Sequence, residues 1–218
     1  LFRNDRLAAF SPPPWMKGHF PWLGQDEGRV GQGVAVGPDG RIYVSTYLHK
    51  GDSTRVDVYG PDGTHHGHFD LPKDVNHAGG LTFDREGKLL VSDTKVIYRI
   101  DTAQALKDGS CNGAILGRRD LDGIRGSTIA YDPKSNRIFI GEWAKGGPGQ
   151  GHFFDAEGFF DAEGALTTKD AASSISLPSL VQGAAFRDGQ LWLSRSTTQF
   201  GELLRVDAAT GRILERGQ

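Results

Sequence analysis

The sequence is poor in cysteine and methionine, with one of each among its 218 residues. The single cysteine, Cys111, has no partner within the chain, so no disulfide framework holds the fold together. Long hydrophobic runs are also missing, because no stretch approaches the roughly 20 apolar residues of a membrane-spanning helix. The sequence therefore predicts neither a disulfide-stapled domain nor a membrane span.

A strong charge of either sign is absent as well. Lys and Arg together number 25 and Asp and Glu 27, which gives a formal net charge of −2. Proteins that bind nucleic acids or anionic membranes usually present a basic face, and this composition gives no sign of one. We therefore expect no nucleic-acid partner.

Glycine and proline are abundant, at 31 and 10 residues, and they separate short apolar runs. The stretch 32–45, QGVAVGPDGRIYVS, reads as two strands joined by a tight turn at Asp39-Gly40. The same pattern returns 47 positions later over 79–92, and again over 127–141 and 182–194. Each copy is followed by two further strand-like runs, and in the second copy Thr102–Asp108 is predicted as a short helix.

Four strands per unit at a long fixed period predict an all-β fold, the β-propeller, built of four-stranded antiparallel blades. Four blades are readable within a domain over 32–218, at about 32–71, 79–121, 126–178 and 182–215. Four blades can close into a ring, and they can also form part of a six-bladed ring. The sequence does not decide between these two.

Residues 1–31 do not share the repeat. A short strand is predicted at Arg6–Phe10, and three prolines then force an extended path toward an aromatic cluster that includes Trp15, Phe20 and Trp22. We expect this segment to pack across the end of the propeller. An exposed aromatic binding surface is the alternative.

Polar residues flank the strands that should meet at one mouth of the propeller axis. They precede first strands or follow second strands, where they either cap the sheets or bind a small polar ligand. The predicted ligand-binding residues at this axial mouth are Tyr47, His77, Asp93, Arg125, Glu142, Trp143, Gln182 and Arg195.

Three of these residues also have the donor types for a divalent cation. Asp93, Glu142 and His77 offer two carboxylates and an imidazole, which suit Ca²⁺ or Mg²⁺ as a cofactor if the side chains meet. His77 precedes Gly79-Gly80, where the backbone can approach a neighbour closely, and a structural histidine is an equal alternative.

Three other motifs are better explained by a structural role than by a binding or catalytic site. Phe-Phe-Asp-Ala-Glu-Gly occurs twice over 153–164, and its acidic residues suit a lengthened hairpin better than a calcium loop. The glycine-rich run 146–151 lacks the Lys-Ser/Thr of a phosphate-binding loop. His65, His66 and His68 form a cluster that we expect to face solvent.

The second copy, from Val75 to Thr94, resembles a blade of the senescence-marker-protein/gluconolactonase and NHL-like propellers. That resemblance implies a six-bladed, TolB-like ring, and in the first group a divalent ion on the axis that hydrolyses lactones or phosphotriesters. Asp93 resembles the metal-binding aspartate after the second strand of those lactonases. Gly79 stands where their P-N-G-L motif has asparagine, and Gln32-Gly33-Val34 stands where they have an early glutamate.

The fourth copy, QGAAFRDGQLWLSRST, is similar to blades of uncharacterised secreted bacterial propellers. This resemblance implies a periplasmic or extracellular location. The expected function is a propeller that binds a small polar ligand or a protein partner at its axial mouth. A divergent metal-dependent hydrolase and a scaffold domain of a longer protein are the alternatives, so the sequence leaves open whether the chain is an enzyme.

Overall fold

The computed structural model describes residues 28–48, 53–197 and 200–217. The strand predicted at Arg6–Phe10 and the aromatic cluster around Trp15 lie outside this part of the chain. The first strand begins at Arg29, so residues 29–31 belong to the first blade and not to the N-terminal segment predicted over 1–31.

In the described ranges, sixteen strands form four antiparallel sheets of four strands each, and every sheet follows chain order from its first to its fourth strand. This confirms the predicted β-propeller of four-stranded blades. Blade 1 contains β1 Arg29–Val36, β2 Ile42–Leu48, β3 Thr54–Tyr59 and β4 His65–Asp70; blade 2 contains β5 Gly80–Phe83, β6 Leu89–Asp93, β7 Val96–Ile100 and β8 Ile115–Asp120; blade 3 contains β9 Thr128–Asp132, β10 Arg137–Gly141, β11 Gly149–Asp155 and β12 Ser173–Leu177; blade 4 contains β13 Val181–Arg187, β14 Gln190–Thr197, β15 Phe200–Val206 and β16 Ile213–Gly217.

The predicted short helix is present as α1 Thr102–Asp108, between β7 and β8. Asp101 caps its N-terminus by accepting hydrogen bonds from the backbone N–H groups of Ala103 and Gln104. Gly109 ends the helix in the left-handed conformation that such C-caps favour. The cap residues therefore explain both ends of the helix.

An aspartate stabilises the turn between the first two strands in three of the four copies, although Asp39 does not share a repeat position with Asp84 and Asp132. Asp39, Asp84 and Asp132 each accept a hydrogen bond from the backbone N–H two residues further on, at 3.1, 2.9 and 3.0 Å. Such a bond favours reversal of the chain. In blades 1 and 2 the backbone of the turn also repeats, since Gly40 N–H donates to the Gly37 carbonyl oxygen and Gly87 N–H to that of Asp84, both at 3.0 Å.

Three hydrophobic cores lie between consecutive blades. The first joins Tyr43, Val56 and Phe69 of blade 1 to blade 2 residues such as Leu81 and Tyr98. The second places Leu90 and Ile97 of blade 2 against blade 3, and the third places Phe139 and Phe153 of blade 3 against blade 4. A blade therefore buries both of its faces only if another blade packs against each face.

Blades 4 and 1 share no fourth core among the described residues, and their outward faces carry exposed apolar side chains. Val34 and Val36 on β1 are 64% and 66% exposed, whereas Leu81 and Ile129, at the repeat position of Val34, are 4% and 1% exposed. Leu203 on β15 is 48% exposed. We call these two faces, defined by Val34, Val36, Trp192 and Leu203, the open seam.

The duplicated segment 153–164 adopts two different structures. Phe153 and Phe154 are buried within β11, whereas Phe159 and Phe160 lie in the turn that follows. Phe159 packs edge-on against Phe154, with ring centroids 6.0 Å apart, and joins the second core. The second copy thus anchors the long β11–β12 connection, in agreement with the predicted lengthened hairpin.

In the described part of the chain, no helix has the length and apolar character that a membrane crossing requires.

Candidate functional site

The first strands of the four blades surround the propeller axis. β1, β5, β9 and β13 are neighbours in that order, and each is the edge strand of its sheet. Only one edge of each first strand bonds to its own blade, so the other edge presents backbone N–H and C=O groups toward the axis. The axial channel is therefore polar along its backbone, whichever side chains line it.

A cavity of about 210 Å³ opens where these first strands begin. Its side chains include the amides of Gln32 and Gln182, one from each side of the open seam, together with Trp192 and Ser194. Among the described residues that line it, none has an ionisable side chain. This described lining thus combines hydrogen-bonding groups with an aromatic ring.

A second cavity of about 570 Å³ lies at the opposite ends of the same strands. Phe83, Tyr131 and Phe186 supply its aromatic lining, and Asp84, Arg85 and Arg187 add charged side chains. The two cavities share Val34, Leu81, Ala184 and Ala185. The two cavities therefore adjoin along the first strands, and we call them the two ends of the axial channel.

Glycines at the start of the first strands let neighbouring blades approach backbone to backbone. A Cβ on Gly80 would lie 2.5 Å from the backbone nitrogen of Ile129, and one on Gly79 would lie 2.5 Å from the carbonyl oxygen of Ser127. Gly33 meets the carbonyl oxygens of Ala78 and Gly79 in the same way. The backbone at Gly79-Gly80, where the sequence predicts a close approach, thus lies close to the backbone of blade 3.

A serine at the end of the second strand ties each of the first two blades to the next. Ser45 Oγ donates to the carbonyl oxygen of Ala78, and Ser92 Oγ donates to that of Gly126, both at 2.6 Å. Ser194 occupies the same repeat position in blade 4, where it is exposed and lines the cavity of 210 Å³. Ser45 and Ser92 therefore join neighbouring blades, whereas Ser194, at the open seam, lines the cavity.

The structure brings the predicted axial-mouth residues together in two pairs. The Tyr47 and His77 rings lie against each other with centroids 5.0 Å apart. Glu142 Oε1 accepts a hydrogen bond from the backbone N–H of Arg125 at 3.1 Å, and the Arg125 side chain is exposed. Both pairs join a loop before a first strand to the end of a second strand.

The other four predicted residues have separate environments. Gln182 lines the cavity of 210 Å³, Trp143 is exposed, and Arg195 lies 3.3 Å from Glu202 in a half-buried ion pair. Asp93 is buried, and its two oxygens accept hydrogen bonds from the backbone N–H groups of Asn76 at 2.6 Å and Thr94 at 2.7 Å. Asp93 thus fixes the loop that enters blade 2.

Asp93, Glu142 and His77 do not form a set of mutually close ligand atoms. Within the described ranges, the one group of three or more His, Cys, Asp or Glu side chains with ligand atoms that close together is Asp57, His65 and His68. A role for the predicted trio in cation binding stays a prediction.

His152, the buried histidine of β11, lies near Glu142. Burial lowers the pKa of His152 below its ordinary value, and the nearby Glu142 carboxylate opposes this shift. Its Nδ1 lies 2.8 Å from Ser174 Oγ on β12. We therefore expect a neutral imidazole that joins β11 to β12 at pH 7.

Sequence analysis missed Trp192, Ser194 and Leu203 as cavity residues. Ser194 carried no usable signal, because it aligns with Ser45 and Ser92, which are buried and join neighbouring blades. Trp192 and Leu203 carried none either, since apolar residues at their repeat positions are buried between blades elsewhere in the chain.

No family model and no curated protein matches the chain significantly. Among solved structures, the chain is similar to the glutaminyl cyclase of Myxococcus xanthus, with a TM-score of 0.58 and 15% identity over 87% of this chain and 70% of that one. It is also similar to a protein of unknown function from Bacteroides caccae, with a TM-score of 0.52 and 14% identity over 87% of this chain and 67% of that one. At these identities the likeness shows a shared propeller fold.

Proposed function

We propose that this chain is a binding propeller that takes an uncharged small molecule with amide or hydroxyl groups at its axial cavity. The observation that carries the proposal is the described lining of the cavity of 210 Å³, which contains Gln32, Gln182 and Trp192 and, in the part of the chain that the structure describes, no ionisable side chain. Amides both donate and accept hydrogen bonds, and an uncharged site would leave a ligand charge without a partner.

In this proposal the other predicted mouth residues lie around the cavity. The Tyr47–His77 pair and the Arg125–Glu142 pair fix the loops that lead into blades 2 and 3. Trp143 and Arg195 stand at the ends of second strands in the same predicted set. We expect them to affect the shape of the entrance more than the contacts with the ligand.

Tryptophan fluorescence offers a direct test, because Trp192 lies in the cavity. The probes are neutral mono- and disaccharides and N-acetyl amino acid amides, compared with sugar phosphates and free amino acids of similar size. We expect saturable fluorescence changes with a neutral probe and weaker ones with its charged counterpart. Loss of the signal in Trp192→Phe would assign it to this ring.

The Gln182→Leu variant tests the amide. Leaving a ligand group unpaired costs about 1–3 kcal/mol, so affinity should fall at least fivefold. Gln104→Leu on α1 is the matched control, since its side chain is exposed and bonds to Asp108 within the helix. The proposal fails if no neutral probe binds, or if the Gln182 variant binds as tightly as the Gln104 variant.

A further inference from the structure

A compact cluster of metal-ligand side chains lies on the outer part of blade 1, at a distance along the sheet from the axial channel. Asp57 comes from β3, and His65 and His68 come from β4. One ligand atom from each of the three lies within 4.8 Å of those of the other two. None of these residues lines either end of the channel.

A β-bulge brings the two histidines onto one face. His65 and His68 are three positions apart, and in a regular strand such residues point to opposite faces of the sheet. The register shifts between the pairs Val58–Gly67 and Tyr59–His65, so one extra residue is inserted in β4. Gly67, with φ of +117°, accommodates this backbone, and both histidines then share the face of Asp57.

The bulge recurs in other blades, whereas its combination with an Asp and two His is a feature of blade 1. Blade 2 has the same shift, with Tyr98, Ile115 and Arg118 at the three positions. Blade 4 has it too, with Leu204, Ile213 and Arg216. The fold therefore supplies the geometry in three blades, and in the described part of the chain only blade 1 fills it with an Asp and two His.

The carboxylate of Asp57 is held in place through one of its oxygens. Asp57 is fully buried, and its Oδ2 accepts hydrogen bonds from Arg55 Nε at 3.0 Å and Thr46 Oγ1 at 3.1 Å. Its Oδ1 points to the histidines and lies 3.2 Å from His65 Nε2. Hydrogen bonds that orient a ligand in this way are typical of protein metal sites.

The histidines stand between this fixed carboxylate and solvent. The His65 side chain is 44% exposed, and His68 is exposed as well. Their rings are nearly parallel, with centroids 6.5 Å apart and an interplanar angle of 14°. The exposed histidine rings therefore give an ion access to the site from water.

We propose that Asp57, His65 and His68 form a binding site for a divalent transition-metal ion, with Zn²⁺ as the first candidate. Two imidazoles and one carboxylate match the borderline ligands that Zn²⁺, Ni²⁺ and Cu²⁺ accept, and Ca²⁺ and Mg²⁺ prefer all-oxygen sites. Three protein ligands leave the remaining coordination position to water. The site is separate from the axial cavity, so it stands or falls independently of the proposed function.

Calorimetric titration of the metal-free protein with Zn²⁺ at pH 7.5 tests the proposal. We expect one ion per chain, together with a rise in the melting temperature at saturation. Single substitutions His65→Ala and His68→Ala should each weaken binding at least tenfold. Failure of Zn²⁺, Ni²⁺ and Cu²⁺ all to bind at this stoichiometry would overturn the proposal.

His66→Ala is the matched control, because His66 is on the same strand but lies against the turn at Gly60. It should bind Zn²⁺ as the wild type does. If it loses affinity as much as the other two variants, the ion binds elsewhere and the site is wrong. Far-ultraviolet circular dichroism of each variant without metal checks that the blade is intact.

Electron paramagnetic resonance of the Cu²⁺ form gives a second readout that does not depend on stability. Two coordinated imidazoles should produce nitrogen hyperfine structure, which should be reduced in His65→Ala and His68→Ala and retained in His66→Ala. A spectrum without nitrogen coupling in the wild type would contradict the assigned ligands.

Discussion

Cys111 is a buried thiol whose chemistry follows from its surroundings. The side chain is fully buried in the first core, and burial raises the pKa of its thiol to about 11. Because the thiolate is the reactive form, at pH 8 only about one thiol in a thousand would be ionised even if reagent could reach it. Cys111 is therefore a packing residue.

We predict that Cys111 does not react with a thiol-specific aromatic disulfide at pH 8 in the native protein. In urea it should react once per chain, because unfolding removes both the burial and the shift in pKa. Release of the coloured thiol product measures the reaction. Stoichiometric labelling of the native protein at the rate seen in urea would contradict the burial of this residue.

At the scale of the element, α1 depends on its N-cap. Asp101 accepts two backbone hydrogen bonds at the start of the helix, and its Oδ2 also lies 2.6 Å from Lys88 Nζ. Hydrogen bonding to Lys88, followed by that to the Gln104 N–H, lowers the pKa of Asp101 below its ordinary value. The ionised carboxylate is thus the form that the folded state prefers.

Replacing Asp101 by Ala should lower the free energy of unfolding by about 1 kcal/mol at pH 7, the usual effect of losing an N-cap. Because the pKa is lowered on folding, this stabilisation is present above the unfolded pKa of about 4 and is lost as the pH falls through the lower folded value. Urea unfolding at pH 7 and at pH 3 measures both effects.

Asp108→Ala is the control for this helix, since Asp108 is exposed and accepts a hydrogen bond only from the Gln104 side chain among the described contacts. It should change the stability by less than about 0.5 kcal/mol. A loss as large as that of Asp101→Ala would mean that the cap is not the source of the effect.

At the scale of the whole molecule, the repeat made the propeller predictable. Blades of this kind reuse one turn and one strand pattern, so the copies beginning at Gln32 and Gly79 reveal the architecture in the sequence alone. The surroundings of each copy were not predictable in this way. Val34 and Leu81 are both apolar at the same repeat position, and only the three-dimensional arrangement shows that Leu81 packs against a preceding blade, whereas among the described residues no blade precedes Val34.

The candidate sites likewise include features that the sequence predicts and features that only the structure reveals. The sequence predicts Gln182 as a mouth residue before a first strand, whereas in the structure it lies within β13 and lines the cavity of 210 Å³. The proximity of Asp57 to His65 and His68 depends on cross-strand register and on a bulge, which a list of residue types does not reveal. The sequence predicts Asp93 as a metal ligand, and this role stays a prediction; in the structure its two oxygens accept backbone hydrogen bonds.

Because of the open seam, we predict that substitutions at equivalent repeat positions in different blades have different effects on stability. Leu81→Ala removes side-chain volume from the first core, and such changes cost about 2–5 kcal/mol because a cavity remains. Val34→Ala removes less volume at the equivalent position, where the side chain is 64% exposed, and should cost less than about 1 kcal/mol. Urea unfolding of the two variants measures the difference.

Ile129→Ala extends the comparison to blade 3, where the equivalent side chain is buried in the second core. We expect its cost to match that of Leu81→Ala, because both residues pack against a preceding blade. A loss of stability in Val34→Ala comparable to these two would show that the β1 face is covered in solution. The three variants together therefore measure, position by position, whether blade 1 has a neighbour on its outward face.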